Sequence, residues 1–208
     1  MCNNVFMTTI CVFGDSIAWG ANDSERGGWV NRLQNFYQSQ NLRVDEDVDV
    51  YNLGVSGDNT DDLLKRFDTE LVARLSDGKN IIIFATGIND SQFVISKNVN
   101  RVQDNIFRDN LKTLVLKAQQ YTDDIIFVGL TKVDESKTVP IPWNTDKNYT
   151  NNDIQRYDVI IQDVAKESDT RYISMKDAVG LDDLSDGLHP NTNGHIKIFE
   201  ILKQELGL

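Results

Sequence analysis

The chain has 208 residues, 40% of them hydrophobic, which is enough for one α/β domain with a substantial core. With a formal net charge of -11 it offers no basic stripe to a nucleic acid, and the acidity fits a solvated surface. No segment carries the ~18 apolar residues that a membrane helix needs.

The two cysteines, Cys2 and Cys11, sit at the chain end and in an apolar run, which argues against a structural disulfide and for a reducing, cytoplasmic setting. Residues 5–13 are apolar, have no Lys or Arg before them and run straight into a polar motif, so they read as a first strand rather than a secretion signal. Its centre is residues 9–13. A helix opening near Gly28 follows, with Trp29, Val30, Leu33, Phe36 and Tyr37 on one face. Residues 49–53 form the second strand. Leu63, Leu64, Phe67, Leu71 and Leu75 then give a helical stripe that Asn59 or Thr60 can cap.

Residues 81–85 are continuously apolar, as in a central strand buried on both faces. Val102, Ile106, Leu111, Leu114, Val115 and Ala118 mark an irregular third helix, and residues 125–130 the fourth strand. Ile154, Tyr157, Ile161, Val164 and Ala165 mark a fourth helix, residues 171–174 a weak fifth strand, and Ile196, Phe199, Leu202 and Leu206 a terminal helix. This alternation predicts one domain over the whole chain, a parallel sheet of about five strands with helices on both faces. Residues 131–151, with Pro140, Pro142 and Trp143, read as one long irregular loop, a length that usually signals function.

Ligands of such sheets bind at the carboxyl ends of the strands. Four polar motifs fall there: Gly14-Asp15-Ser16, Gly54 to Gly57, Gly87 to Asp90, and Asp186 to Pro190 after the fifth strand. Ser16 needs a base to become a nucleophile. Of the two histidines, His189 has Asp186 three residues before it and a stiff Pro190 after it. His195, at the start of the last helix, has no such partner and reads as a surface or capping residue. A tetrahedral intermediate also needs oxyanion donors, for which the Ser16 amide, the Gly54 amide and the Asn89 side chain are the candidates. Asp15 and Asp90 read as supports that bond nearby amides and hold the loops of Ser16 and Asn89. Ile141 and Trp143 supply apolar bulk for a substrate pocket.

The four blocks together resemble the SGNH hydrolases, also called GDSL lipases or esterases. Residues 12–17, 52–57, 85–90 and 186–190 match the family's Ser, Gly, Asn and His blocks in order, and Trp19-Gly20 with residues 27–30 resembles the stretch after the first block. The resemblance implies a flavodoxin-like three-layer αβα sandwich and a Ser16–His189–Asp186 triad. It implies a serine esterase acting on small or short-chain esters, with no metal or organic cofactor. Acyl transfer, or thioesterase or lysophospholipase activity, would use the same site. A non-catalytic flavodoxin-like module binding flavin or an anion at Gly54–Gly57 is disfavoured by Asp58, Asp61 and Asp62, which repel phosphate. The natural ester and the oligomeric state have no signature in the sequence.

Overall fold

The computed structural model describes residues 6–41 and 46–207; Cys2 and Val5 lie outside the described residues. In chain order the elements are β1 (Phe6–Gly14), α1 (Ser16–Trp19), α2 (Gly28–Asn41), β2 (Glu46–Gly54), α3 (Thr60–Val72) and β3 (Lys79–Ala85). Then come β4 (Phe93–Val94), β5 (Val99–Asn100), α4 (Asp104–Ala118), β6 (Ile125–Val128) and α5 (Glu135–Thr138). β7 (Lys147–Asn148), α6 (Asn151–Glu167), β8 (Arg171–Ile173) and α7 (Thr192–Leu206) complete the chain.

Five strands form one parallel sheet in the order β2-β1-β3-β6-β8. Side chains alternate across a strand, so each strand feeds two cores. Cys11 and Phe13 of β1, with Ile82 and Phe84 of β3, point to the face covered by α3, α4 and α6 through Phe67, Phe107 and Tyr157. Ile10, Val12 and Ile83 point to the other face, where Trp29 and Leu33 of α2 and Ile198 and Leu202 of α7 close over them. This is the three-layer αβα sandwich. The strand order reverses at β1, whose carboxyl end sits between β2 and β3 and is therefore the crevice of the sheet.

Three details depart from the sequence pattern. In α4 the buried residue is Phe107, while Ile106 is 42% exposed, so the stripe runs from Phe107 through Leu111, Leu114 and Ala118. In α7 the helix cap is Asn191, whose side chain accepts from the Gly194 amide, and His195 is fully buried rather than at the surface. Residues 131–151 are not one irregular loop. They contain α5 and β7, and β7 pairs with β4 in a small antiparallel sheet of order β5-β4-β7. Strands of two residues are too short to leave a period in the sequence.

The shared core makes a direct stability prediction. Phe84 is fully buried at the centre of the sheet, against Phe13, Phe67 and Phe127. Phe84→Ala should cost about 3–5 kcal/mol in urea unfolding, because transfer and cavity terms add. A loss under about 1 kcal/mol would mean that the cluster is not a packed core.

Candidate active site

Ser16 is the first residue of α1, directly after the end of β1. The Asp15 side chain caps that short helix, with Oδ1 accepting from the Ile17 amide at 2.9 Å, and Gly20 ends it in the left-handed region at φ 101°. The chain therefore turns sharply at the sheet edge with Ser16 Oγ on the turn. The Ser16 amide lies in the first turn, where helix N–H groups have no partner within the helix.

His189 comes from a loop 173 residues later, and its Nε2 lies 3.0 Å from Ser16 Oγ. Its Nδ1 lies 2.7 Å from Asp186 Oδ2. Asp186 also binds its own loop, because Oδ1 accepts from the Leu188 and His189 amides at 3.0 and 2.8 Å. A fourth donor comes from outside that loop, the Asn22 side chain at 3.2 Å from Oδ2. Burial pushes the Asp186 carboxyl up, but the His189 contacts and these amides outweigh it and hold the group well below the usual carboxylate range. A carboxylate can only accept, so Nδ1 of His189 donates to Asp186, and in the neutral ring Nε2 is then the acceptor that faces the serine hydroxyl.

Asn89 sits on the buried segment after β3. Its Nδ2 donates to the Asp58 carbonyl at 2.9 Å and its Oδ1 accepts from the Tyr149 hydroxyl at 2.8 Å. Ser16, Asn89 and His189 share one cleft of about 250 Å³ with Ser56, Gly57 and Trp143. A larger groove of about 620 Å³, lined by Met7, Arg74 and Gly78, contains none of these groups.

Gly54 does not join the cleft. Its amide donates to the Asn52 side chain at 3.0 Å, so it is not free to meet an oxyanion. The glycine is there for space: a Cβ would lie 2.3 Å from the Trp19 amide nitrogen, under α1. Gly57, three residues on, is the glycine that faces the cleft, and its φ of 87° suits a residue without a side chain. Both glycines lie in the same block, and nothing in the spacing says which one approaches the serine.

Asp15 and Asp90 are buried beside the site. Asp90 accepts from the Thr60 amide at 3.0 Å and the Thr60 hydroxyl at 2.5 Å, which fastens the start of α3 to the Asn89 segment. Burial raises the Asp15 carboxyl to about 7 and the Asp90 carboxyl to about 6. His195 packs in α7 with Nε2 2.9 Å from the Ala21 carbonyl, and burial lowers its pKa. Its ring bonds to the Ala21 carbonyl and not to Ser16. Trp143 is 53% exposed, and its ring lies near-parallel to the His189 ring with centroids 6.2 Å apart.

A serine hydroxyl, a histidine, a half-buried carboxylate and an adjacent amide donor at the mouth of an αβα sheet define a hydrolase that works through a serine nucleophile. The profile of the GDSL-like lipase/acylhydrolase family matches residues 12–196, and the chain belongs to that family of serine ester hydrolases. It is similar to the lipase/acylhydrolase of Enterococcus faecalis, at 22% identity and TM-score 0.77, covering 96% of this chain and 95% of that one. It is also similar to Axe2, an acetylxylan esterase of Geobacillus stearothermophilus, at 18% identity and TM-score 0.73, with 96% and 94% covered. Variants of Axe2 with a serine, a histidine or an aspartate replaced by alanine are described as catalytic mutants. The uncharacterized protein YpmR of Bacillus subtilis (strain 168) is 22% identical over 94% of this chain and 82% of its own.

The raised carboxyls predict a pH-dependent stability. An unfolded Asp titrates near ~3.9. A group raised to about 7 in the folded state therefore favours folding fully only below the unfolded value of ~3.9, and the benefit declines as pH rises and is gone above about 7. Asp15→Asn keeps the cap acceptor and removes the titration. Wild-type Tm should fall more between pH 5 and 8 than that of Asp15→Asn in parallel thermal melts. Equal slopes would mean that Asp15 stays ionised in the fold.

Proposed function

We propose that the chain hydrolyses carboxylic esters of small or short-chain acids, with Ser16 as nucleophile, His189 as general base and acid, and Asp186 orienting the imidazole. The observation that carries this reading is the unbroken line Ser16 Oγ–His189 Nε2 and His189 Nδ1–Asp186 Oδ2, at 3.0 and 2.7 Å. His189 takes the serine proton as Oγ attacks the carbonyl carbon, and Asp186 stabilises the imidazolium that results. The oxyanion is met by the Ser16 amide, the Gly57 amide and the second Nδ2 proton of Asn89. His189 then protonates the departing alkoxide, leaving an acyl group on Ser16, and activates the water that releases the acid. The Axe2 variants called catalytic mutants, at the same three residue types, support these roles.

The cleft supports a short acyl group on a polar alcohol. At about 250 Å³ it is small, and Ser56, Gln92, Arg101, Asn144 and Lys147 line it alongside the apolar Ile141, Trp143 and Leu188. A long acyl chain would need a continuous apolar channel, whereas here polar groups interrupt it. Trp143, beside His189, limits what can extend from the reacting carbonyl.

Ser16→Ala and His189→Ala should each remove turnover of p-nitrophenyl acetate, by up to about a million-fold if the groups act as a unit, and the double variant should lose little more. Ser16→Ala retaining more than a few per cent of the rate would overturn the nucleophile assignment. Trp143→Ala should raise kcat/KM for butyrate or hexanoate relative to acetate, by about 1–3 kcal/mol of discrimination at most. An unchanged ratio in a variant of normal melting temperature would remove the indole from the acyl site.

A further inference from the structure

The small sheet β5-β4-β7 is not explained by the hydrolase reading, yet each of its strands is flanked by a cleft residue. Gln92 precedes β4, Arg101 follows β5 and Tyr149 follows β7, and all three line the cleft. The register brings them together. Phe93 stands opposite both Asn100 and Asn148, and the Arg101 amide donates to the Gln92 carbonyl at 2.7 Å.

We infer that this sheet is a positioning device for the oxyanion donors, in which the Tyr149 hydroxyl fixes the direction of the Asn89 amide. The inference rests on the serine hydrolase reading for its purpose, and on geometry for its content. Tyr149, Gln92 and Asn89 are 3%, 3% and 5% exposed, and apart from Gln92 Oε1, which has no partner, their side-chain polar atoms bond to one another and to the Asp58 carbonyl. Gln92 Nε2 donates to the Tyr149 oxygen at 2.5 Å, which leaves the phenolic proton to go to Asn89 Oδ1 at 2.8 Å. With its oxygen held there, Asn89 can present only its NH₂ on the other side. One proton goes to the Asp58 carbonyl at 2.9 Å and the other is left for the cleft. Without the phenol only the Asp58 carbonyl would oppose a half-turn of the amide that offers a carbonyl oxygen to a developing negative charge.

Tyr149 is itself held firmly. Its amide donates to the Thr138 carbonyl at 3.0 Å, and the Thr138 hydroxyl donates to the Tyr149 carbonyl at 2.8 Å. The other strand end serves the second donor. Arg101 NH1 donates to the Gly57 carbonyl at 2.8 Å while NH2 pairs with Asp62 at 3.1 Å, pinning the peptide next to the Gly57 amide. Residues flanking three separate short strands thus converge on the two donors that do not belong to the nucleophile itself.

The test compares wild type, Tyr149→Phe, Asn89→Ala and the double variant. Tyr149→Phe keeps the buried ring and removes only the hydroxyl. It should lower kcat for p-nitrophenyl acetate about 10-fold with KM within about twofold, a part of the 10²–10³-fold expected for losing the donor outright. In the Asn89→Ala background the same change should have no further effect, because the group it orients is gone. The second readout is independent of turnover: the Asn89 side-chain NH₂ pair in a ¹⁵N spectrum, assigned by its absence in Asn89→Ala, should lose its protection from water exchange in Tyr149→Phe. An unchanged kcat and an unchanged NH₂ signal, or an equal loss of rate in the Asn89→Ala background, would overturn the inference. A wild type that cleaves no ester would sink the hydrolase reading instead, and the NH₂ signal would still decide whether Tyr149 orients Asn89.

Discussion

A 3.0 Å contact between Ser16 Oγ and His189 Nε2 joins the end of the first strand to the loop before the last helix, across 173 residues of sequence. Loop closure over such a separation is not favoured by the two residues themselves, so the rest of the fold must hold both ends in place. The sheet does the coarse part, since β1 is an interior strand and β8 lies on the edge toward which the chain winds. The fine part is a row of bonds between residues 21–23 and the C-terminal segment. Asn22 donates to Asp186, the Thr192 hydroxyl donates to Asp23, and the ring of His195 lies against the Ala21 carbonyl. The second histidine therefore belongs to the same closure as the first. One ring meets Ser16 and the other packs α7 against the chain that leaves it.

Holding the site has an electrostatic cost that the fold accepts locally. Asp15 and Asp90 are almost wholly buried within a residue of Ser16 and Asn89, and desolvation raises both carboxyls. Each accepts backbone N–H groups at the start of a helix, which carboxylates do better than amides or hydroxyls. Short turns at strand ends need these acceptors, because the first amides of α1 and α3 have no helical partner. Rigid turns are in turn what a transition-state donor needs, since a donor that must reorganise loses most of its advantage.

The layers of the fold were legible in the sequence because strands such as residues 81–85 are apolar without interruption and the helices repeat their apolar residues at three and four. Ser16 and Asn89 were legible because each stands in a polar block just after a strand, and Asp186 and His189 because a carboxylate and a histidine three residues apart precede a proline in the loop before the last helix. Other features left no readable trace. Ile106 and Phe107 are adjacent and both apolar, so the pattern alone could not say which turns inward. His195 looks polar on paper and is buried because its Nε2 finds a carbonyl from a distant loop. Gly54 and Gly57 differ only in what approaches them, a backbone beneath α1 in one case and the cleft in the other. Gln92, Arg101 and Tyr149 each flank a different strand of a sheet with two-residue strands, so their meeting is a tertiary fact with no local signature.

The central claim is that Ser16 is the nucleophile because His189 is aligned on it and on no other hydroxyl of the cleft. The most direct measurement is mass spectrometry of the intact protein and its peptides after exposure to a fluorophosphonate, which forms a stable phosphonyl ester only with an activated serine. The account predicts one adduct per chain, on the peptide containing Ser16, formed in wild type and absent in His189→Ala. An adduct on Ser56, or labelling of Ser16 that persists without His189, would contradict it.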